Sequence, residues 1–120
     1  MKILIVDDSK AMRTIVMRTL RQLNLGTHTL LEATNGVEAL ALAKAEKPDL
    51  ILADWNMPEM NGLELLKAVK AAALPVKLGL VTSECSGEMQ ALAKQEGAVF
   101  LLSKPFTADS MRATIGPHLT

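Results

Sequence analysis

At 120 residues the chain has room for one domain, over residues 1–120, and not for a catalytic domain beside a regulatory one. Hydrophobic residues make up 49% and charged residues 22%, too apolar for a disordered chain, while 13 Lys+Arg balance 13 Asp+Glu and leave no basic field to attract nucleic acid or an anionic membrane. The longest unbroken apolar runs, Ala39–Ala43 and Ala98–Leu102, fall far short of the ~20 residues that span a bilayer.

The chain opens on Met1-Lys2 and a strand at Ile3–Val6, too short an apolar stretch before Asp7-Asp8 for a signal-peptide core, so a cytoplasmic location is expected; separately, the chain is expected to be a monomer. Met12, Ile15, Val16, Thr19, Leu20 and Leu23 then recur with the spacing of one helix face, ended by Gly26. A second strand is predicted at His28–Leu31, and after Asn35-Gly36 a helix over Val37–Glu46. Beyond Pro48 come a strand at Leu50–Ala53 and a helix over Gly62–Ala73. Beyond Pro75 the same alternation gives a strand at Leu78–Val81, a helix over Gly87–Glu96, a strand at Val99–Leu102 and, past Pro105, a helix over Ala108–His118. Most strands are continuously apolar, as parallel strands covered by helices on both faces must be. The fold class is α/β, a doubly wound parallel sheet of five strands with right-handed crossovers.

Cys85 is the single cysteine, which excludes an internal disulfide and a multi-cysteine metal site and reads as an inert thiol. Neither His28 nor His118 has metal-ligand spacing, and the seven methionines are spread along the chain as gap fillers of an aromatic-poor core.

In doubly wound sheets, ligands bind beyond the carboxyl ends of the strands. Those ends carry Asp7-Asp8, Asp54, Thr82 and Lys104. Carboxylates crowded together repel one another unless a cation intervenes, and a hard divalent ion with oxygen ligands, most simply Mg²⁺, suits them. A carboxylate nucleophile, a metal, an ammonium and a hydroxyl together are what phosphoryl transfer requires.

The segments Leu4-Ile5-Val6-Asp7-Asp8-Ser9, Asp54-Trp55-Asn56-Met57-Pro58-Glu59-Met60-Asn61-Gly62, Val81-Thr82-Ser83 and Lys104-Pro105-Phe106 resemble the receiver domain of two-component response regulators. Asp-Trp-Asn-Met-Pro followed by Gly62-Leu63-Glu64-Leu65-Leu66-Lys67 is similar to the single-domain chemotaxis branch of that family. The resemblance implies a flavodoxin-like, CheY-like sheet of order 2-1-3-4-5, an arrangement known for that branch. It implies Asp54 as the phosphoacceptor, made phosphoaspartate by a histidine kinase. It also implies Mg²⁺ bound by Asp8, Asp54 and the backbone carbonyl of Asn56, with Asp7 acting through water. Thr82 and Lys104 would grip the phosphoryl oxygens, Ser83 would leave room for them, and a cis Lys104–Pro105 peptide would aim the lysine. Asn56 and Glu84 occupy the positions that tune the lifetime of the acyl phosphate in this family.

One position departs from the pattern. Many receivers carry an aromatic rotor three residues before the lysine, where this chain has Leu101; Phe100, one residue earlier, should face the other side of the sheet. An output through the flagellar motor switch that reads such a rotor is therefore not implied. The output partner is unknown, and a phosphate sink or relay is the alternative. Two other classes fit less well. A haloacid-dehalogenase-type phosphatase needs a second carboxylate where Asn56 stands. A flavin binder needs a Ser/Thr/Gly-rich phosphate loop where Asp7-Asp8 stands.

Overall fold

Continuous apolar runs such as Leu50–Ala53 stay dry only if both faces of a sheet are covered, and the computed structural model, which describes residues 1–119, shows this layering. In chain order the elements are β1 (Lys2–Val6), α1 (Lys10–Gln22), β2 (Thr29–Ala33), α2 (Gly36–Glu46), β3 (Leu50–Asp54), α3 (Gly62–Ala71), β4 (Lys77–Thr82), α4 (Gly87–Glu96), β5 (Leu101–Ser103) and α5 (Ala108–Ile115), then a 3-10 turn over Gly116–His118. The strands are all parallel and ordered β2-β1-β3-β4-β5. This is the CheY-like sheet expected from the sequence. No helix among the described residues is long and apolar enough to cross a membrane.

Successive strand residues point to opposite faces, so the interior divides in two. Leu4, Val6, Ile51 and Ala53 meet Ala39, Leu65, Val69 and Ala93 from α2, α3 and α4. Ile3, Ile5, Leu50 and Leu52 meet Val16, Leu20, Met111 and Ile115 from α1 and α5. Each α-helix starts on a side chain that accepts from its first turn: Ser9, Asn35, Asn61, Ser86 and Thr107. Caps of this kind contribute about 1 kcal/mol each. Because the strands are parallel, these helix N-termini, with their partial positive charge, all face the edge where the strands end.

Several boundaries differ from those read in the sequence. The second strand is Thr29–Ala33 rather than His28–Leu31, because its ladder begins opposite Lys2 and runs to Ala33 opposite Val6. Regular pairing of the fifth strand begins at Leu101, although Val99 already donates to the Leu78 carbonyl at 2.9 Å. The first helix stops at Gln22; Asn24 already takes a left-handed φ of 52°, ahead of Gly26 at 111°. The third helix stops at Ala71, before the left-handed Ala73 (φ 55°). The last helix ends at Ile115, since Pro117 has no N–H to continue it, and the chain tightens into the 3-10 turn. On α1 the buried face runs through Arg13, Val16, Leu20 and Leu23, so Ile15, expected inside, is 46% exposed.

Candidate functional site

Parallel pairing brings residues distant in sequence to one edge. Val6 stands beside Ala53, which places Asp7 next to Asp54. Thr82 is paired with Ser103, and the next residue continues the ladder, Lys104 N–H donating to the Thr82 carbonyl at 2.8 Å. The Lys104–Pro105 peptide is cis. On the other side of Asp54, the start of α3 presses so close that a Cβ at Gly62 would meet the Asp54 carbonyl oxygen at 2.6 Å. Only glycine allows that approach.

At this edge Lys104 Nζ lies 3.3 Å from Asp54 Oδ1 and 3.5 Å from Asp7 Oδ2. Asp7, Asp8 and Asp54 each offer a carboxylate oxygen, all within 4.8 Å of one another. Asp7 and Asp54 are buried and Asp8 is exposed. Burial pushes the Asp7 carboxyl above its usual range and the charge of Asp54 adds to this, while the bond from Ser9 N–H and the charge of Lys104 oppose it. One ammonium therefore serves several crowded carboxylates. A small divalent cation with a preference for oxygen fits this donor set, as it would supply the charge that Lys104 alone does not.

The other residues singled out from the sequence surround this group. Thr82 is fully buried, and its Oγ1 accepts from Glu84 N–H at 3.1 Å, leaving its own proton free to donate. Asn56 N–H approaches Asp54 Oδ1 at 3.4 Å. Asn56, Ser83 and Glu84 are exposed at the mouth of the site. Trp55 is buried directly after Asp54, against the α2–α3–α4 core. Leu101 lies outside the group, packed against that same core, whereas Phe100 packs on the α1–α5 side, as the alternation along β5 requires. Cys85 is half-buried, its Sγ 3.4 Å from Gln90 Nε2, apart from the carboxylates.

One neighbour of the site went unnoticed in the sequence. Arg13 is only 8% exposed, and its Nη1 donates to the Asp7 carbonyl at 2.7 Å. Its signal was the spacing Arg13, Val16, Leu20, Leu23, which continues the buried face by one turn; a charged residue there is ordinarily taken as solvated.

The family model for the response regulator receiver domain matches residues 3–116. The chain is 41% identical over 116 residues to Chemotaxis protein CheY-3 of Vibrio cholerae serotype O1, covering 93% of this chain and 86% of the relative. It is 42% identical over 115 residues to a Chemotaxis protein CheY homolog of Campylobacter jejuni, covering 93% and 87%. Among solved structures, Vibrio cholerae chemotaxis protein CheY4 superposes with a TM-score of 0.86 at 33% identity, over 99% of this chain and 98% of that one. The receiver domain of the response regulator NarL from Mycobacterium tuberculosis gives 0.85 at 28% identity, over 98% and 94%.

Proposed function

The chain belongs to the response regulator receiver domain family, and on that premise we propose that it is a phosphorylation-driven switch in two-component signalling. In this reading Asp54 accepts a phosphoryl group from a histidine kinase, and the phosphorylated conformer binds a partner protein. The observation that carries it is the placement of Lys104 Nζ within 3.5 Å of both Asp54 and Asp7, three residues brought together at the carboxyl ends of β5, β3 and β1. The two relatives named as chemotaxis proteins support a chemotaxis-type pathway, and the family supports a cytoplasmic location.

A carboxylate oxygen of Asp54 attacks phosphorus, forming the O–P bond of an acyl phosphate as the P–N bond to the donor imidazole breaks and that imidazole takes up a proton. Lys104 and the Thr82 hydroxyl proton meet the charge on the phosphoryl oxygens. Asp8, Asp54 and the Asn56 carbonyl, with Asp7 acting through water, would hold Mg²⁺, whose charge would offset that of the carboxylates that otherwise repel the incoming phosphoryl group. Asn56 and Glu84, polar and exposed at the mouth, admit the water that later hydrolyses the acyl phosphate. The chain catalyses its own phosphorylation and dephosphorylation and turns over no separate substrate.

Acetyl phosphate with Mg²⁺ should modify Asp54 without a kinase, and both Mg²⁺ and phosphorylation should change the fluorescence of Trp55, the single tryptophan. Modification that persists in Asp54→Asn would overturn the assignment. Leu101 favours a second reading, a phosphate sink or relay without direct output. A pull-down that recovers a protein only with the phosphorylated chain decides for the switch.

A further inference from the structure

Among the described residues four polar or charged side chains are buried: Asp7, Arg13, Asp54 and Thr82. Three of them form the strand-end site. The fourth, Arg13, sits on α1, and a guanidinium is kept out of water only where its donors are met.

Its two bonds explain what it does there. Nη1 donates to the Asp7 carbonyl at 2.7 Å, and Nε donates to Glu32 Oε1 on β2 at 2.9 Å. The Asp7 carbonyl lies in the gap between two regular elements. β1 has ended at Val6, and α1 takes up its first carbonyl at Ser9, which accepts from Arg13 N–H at 3.0 Å. The Arg13 side chain meets a carbonyl that falls between them. That carbonyl belongs to the peptide unit joining Asp7 to Asp8, so holding it sets the plane from which both carboxylates project.

The remaining polar groups of Asp7 are fixed as well. Its N–H donates to the Ala33 carbonyl at 3.2 Å, and its Oδ1 accepts from Ser9 N–H at 2.9 Å. Asp8, by contrast, is exposed, and its direction depends on the peptide before it.

We infer that Arg13 is a positioning residue for the acidic pair: bonded to the Asp7 carbonyl and steadied by Glu32, it aims Asp7 and Asp8 at a shared divalent cation. This rests on reading the site as a Mg²⁺-dependent phosphoacceptor. Residues one layer behind metal ligands act by orienting them, and their loss weakens metal binding rather than the chemistry that follows. Lysine cannot replace the arrangement fully, because one ammonium on a flexible stem does not bridge two acceptors in the fixed fork of a guanidinium.

The test is a Mg²⁺ titration of Trp55 fluorescence in wild type, Arg13→Met and Arg13→Lys, paired with acetyl phosphate labelling of Asp54 across the same Mg²⁺ range. Arg13→Met should raise the half-saturating Mg²⁺ by about 10- to 100-fold. Its labelling rate at saturating Mg²⁺ should recover to near wild type, and Arg13→Lys should lie between the two. A loss of thermal stability with wild-type Mg²⁺ affinity would make Arg13 a fold stabiliser only and overturn the inference. Should Arg13→Met not fold, Arg13→Lys decides by the same criterion. Wild type that neither binds Mg²⁺ nor labels Asp54 would instead remove the functional reading, and this inference with it, before any Arg13 variant is compared.

Discussion

The ring of Phe100 lies directly over Gly79 of the neighbouring strand, where a Cβ on residue 79 would overlap the ring atoms Cε1 and Cζ. On its other flank the ring meets His118, with centroids 5.3 Å apart and planes inclined by 43°. The aromatic residue nearest β5 is thus committed to the α1–α5 side of the sheet. Gly79→Ala should destabilise the chain by about 1–3 kcal/mol, the usual result of overpacking. Adding Phe100→Leu should recover part of that loss. Urea unfolding of the two variants and their combination measures the coupling, and an unchanged midpoint for Gly79→Ala would contradict the packing described.

That contact illustrates what was legible in the sequence. Alternation alone assigns Phe100 and Leu101 to opposite faces, because a period of two is fixed by the backbone. The strand-end residues were legible for a similar reason: once the elements are parallel strands joined by helices, Asp7, Asp54, Thr82 and Lys104 have to share an edge. The order of the strands came from the family resemblance and not from periodicity. The role of Gly79 was not legible, since it depends on a neighbour some twenty residues away whose register no local pattern sets. Arg13 was missed because its burial depends on Glu32 and a backbone carbonyl, partners that hydropathy does not record. The boundaries that shifted, at His28, Val99 and Ala73, were set by the start of a partner strand or by left-handed residues rather than by apolar periodicity.

Lys104 acts as the resident counter-ion of Asp7 and Asp54, so it competes with a divalent cation for the same carboxylates while assisting the transfer that follows. Lys104→Met should therefore bind Mg²⁺ more tightly than wild type. Its rate of phosphorylation at saturating Mg²⁺ should nevertheless fall about 100-fold, the scale expected when one charge-stabilising donor is removed. Mg²⁺ titrations and acetyl phosphate kinetics on one preparation give both numbers. Weaker Mg²⁺ binding would show that the lysine does not compete with the cation.

Asp7 should make stability depend on pH in a way opposite to an ordinary ion-paired carboxylate. Burial raises its folded pKa above the unfolded value, so between the two values the folded state holds the proton and the unfolded state does not. Its contribution to stability is whole below the ordinary carboxylate range and is lost as pH rises through the raised folded value. In Mg²⁺-free buffer, Asp7→Asn should melt higher than wild type at neutral pH, with the difference shrinking on acidification. Added Mg²⁺ should stabilise wild type more than the variant. Melting curves across pH, with and without Mg²⁺, test both signs, and a lower melting point for Asp7→Asn at neutral pH in Mg²⁺-free buffer would contradict the argument.

Leu101 borders a cavity of ≈470 Å³ between β5 and α4, whose α4 wall is made by Gln90, Ala93 and Lys94. In the ladder it is paired with Leu80, two residues before Thr82. Drawing the Thr82 hydroxyl toward a phosphoryl group on Asp54 would disturb β4 beside this cavity. A large ring at position 101 could swing into the space released, and leucine fills it less completely. Phosphorylation shifts a conformational equilibrium only by the difference between its interaction free energies with the two conformers, so the shift should be modest, about 1–2 kcal/mol, or roughly 5- to 30-fold in partner affinity. Leu101→Tyr should enlarge that ratio, because the ring gains contacts in one conformer that leucine does not. The measurement is binding of the partner recovered by phosphorylation-dependent pull-down, with and without beryllofluoride, for both proteins. A ratio already very large with Leu101, or unmoved by the tyrosine, would place the signal instead in the loop from Thr82 to α4, where Glu84 N–H holds the Thr82 hydroxyl at 3.1 Å.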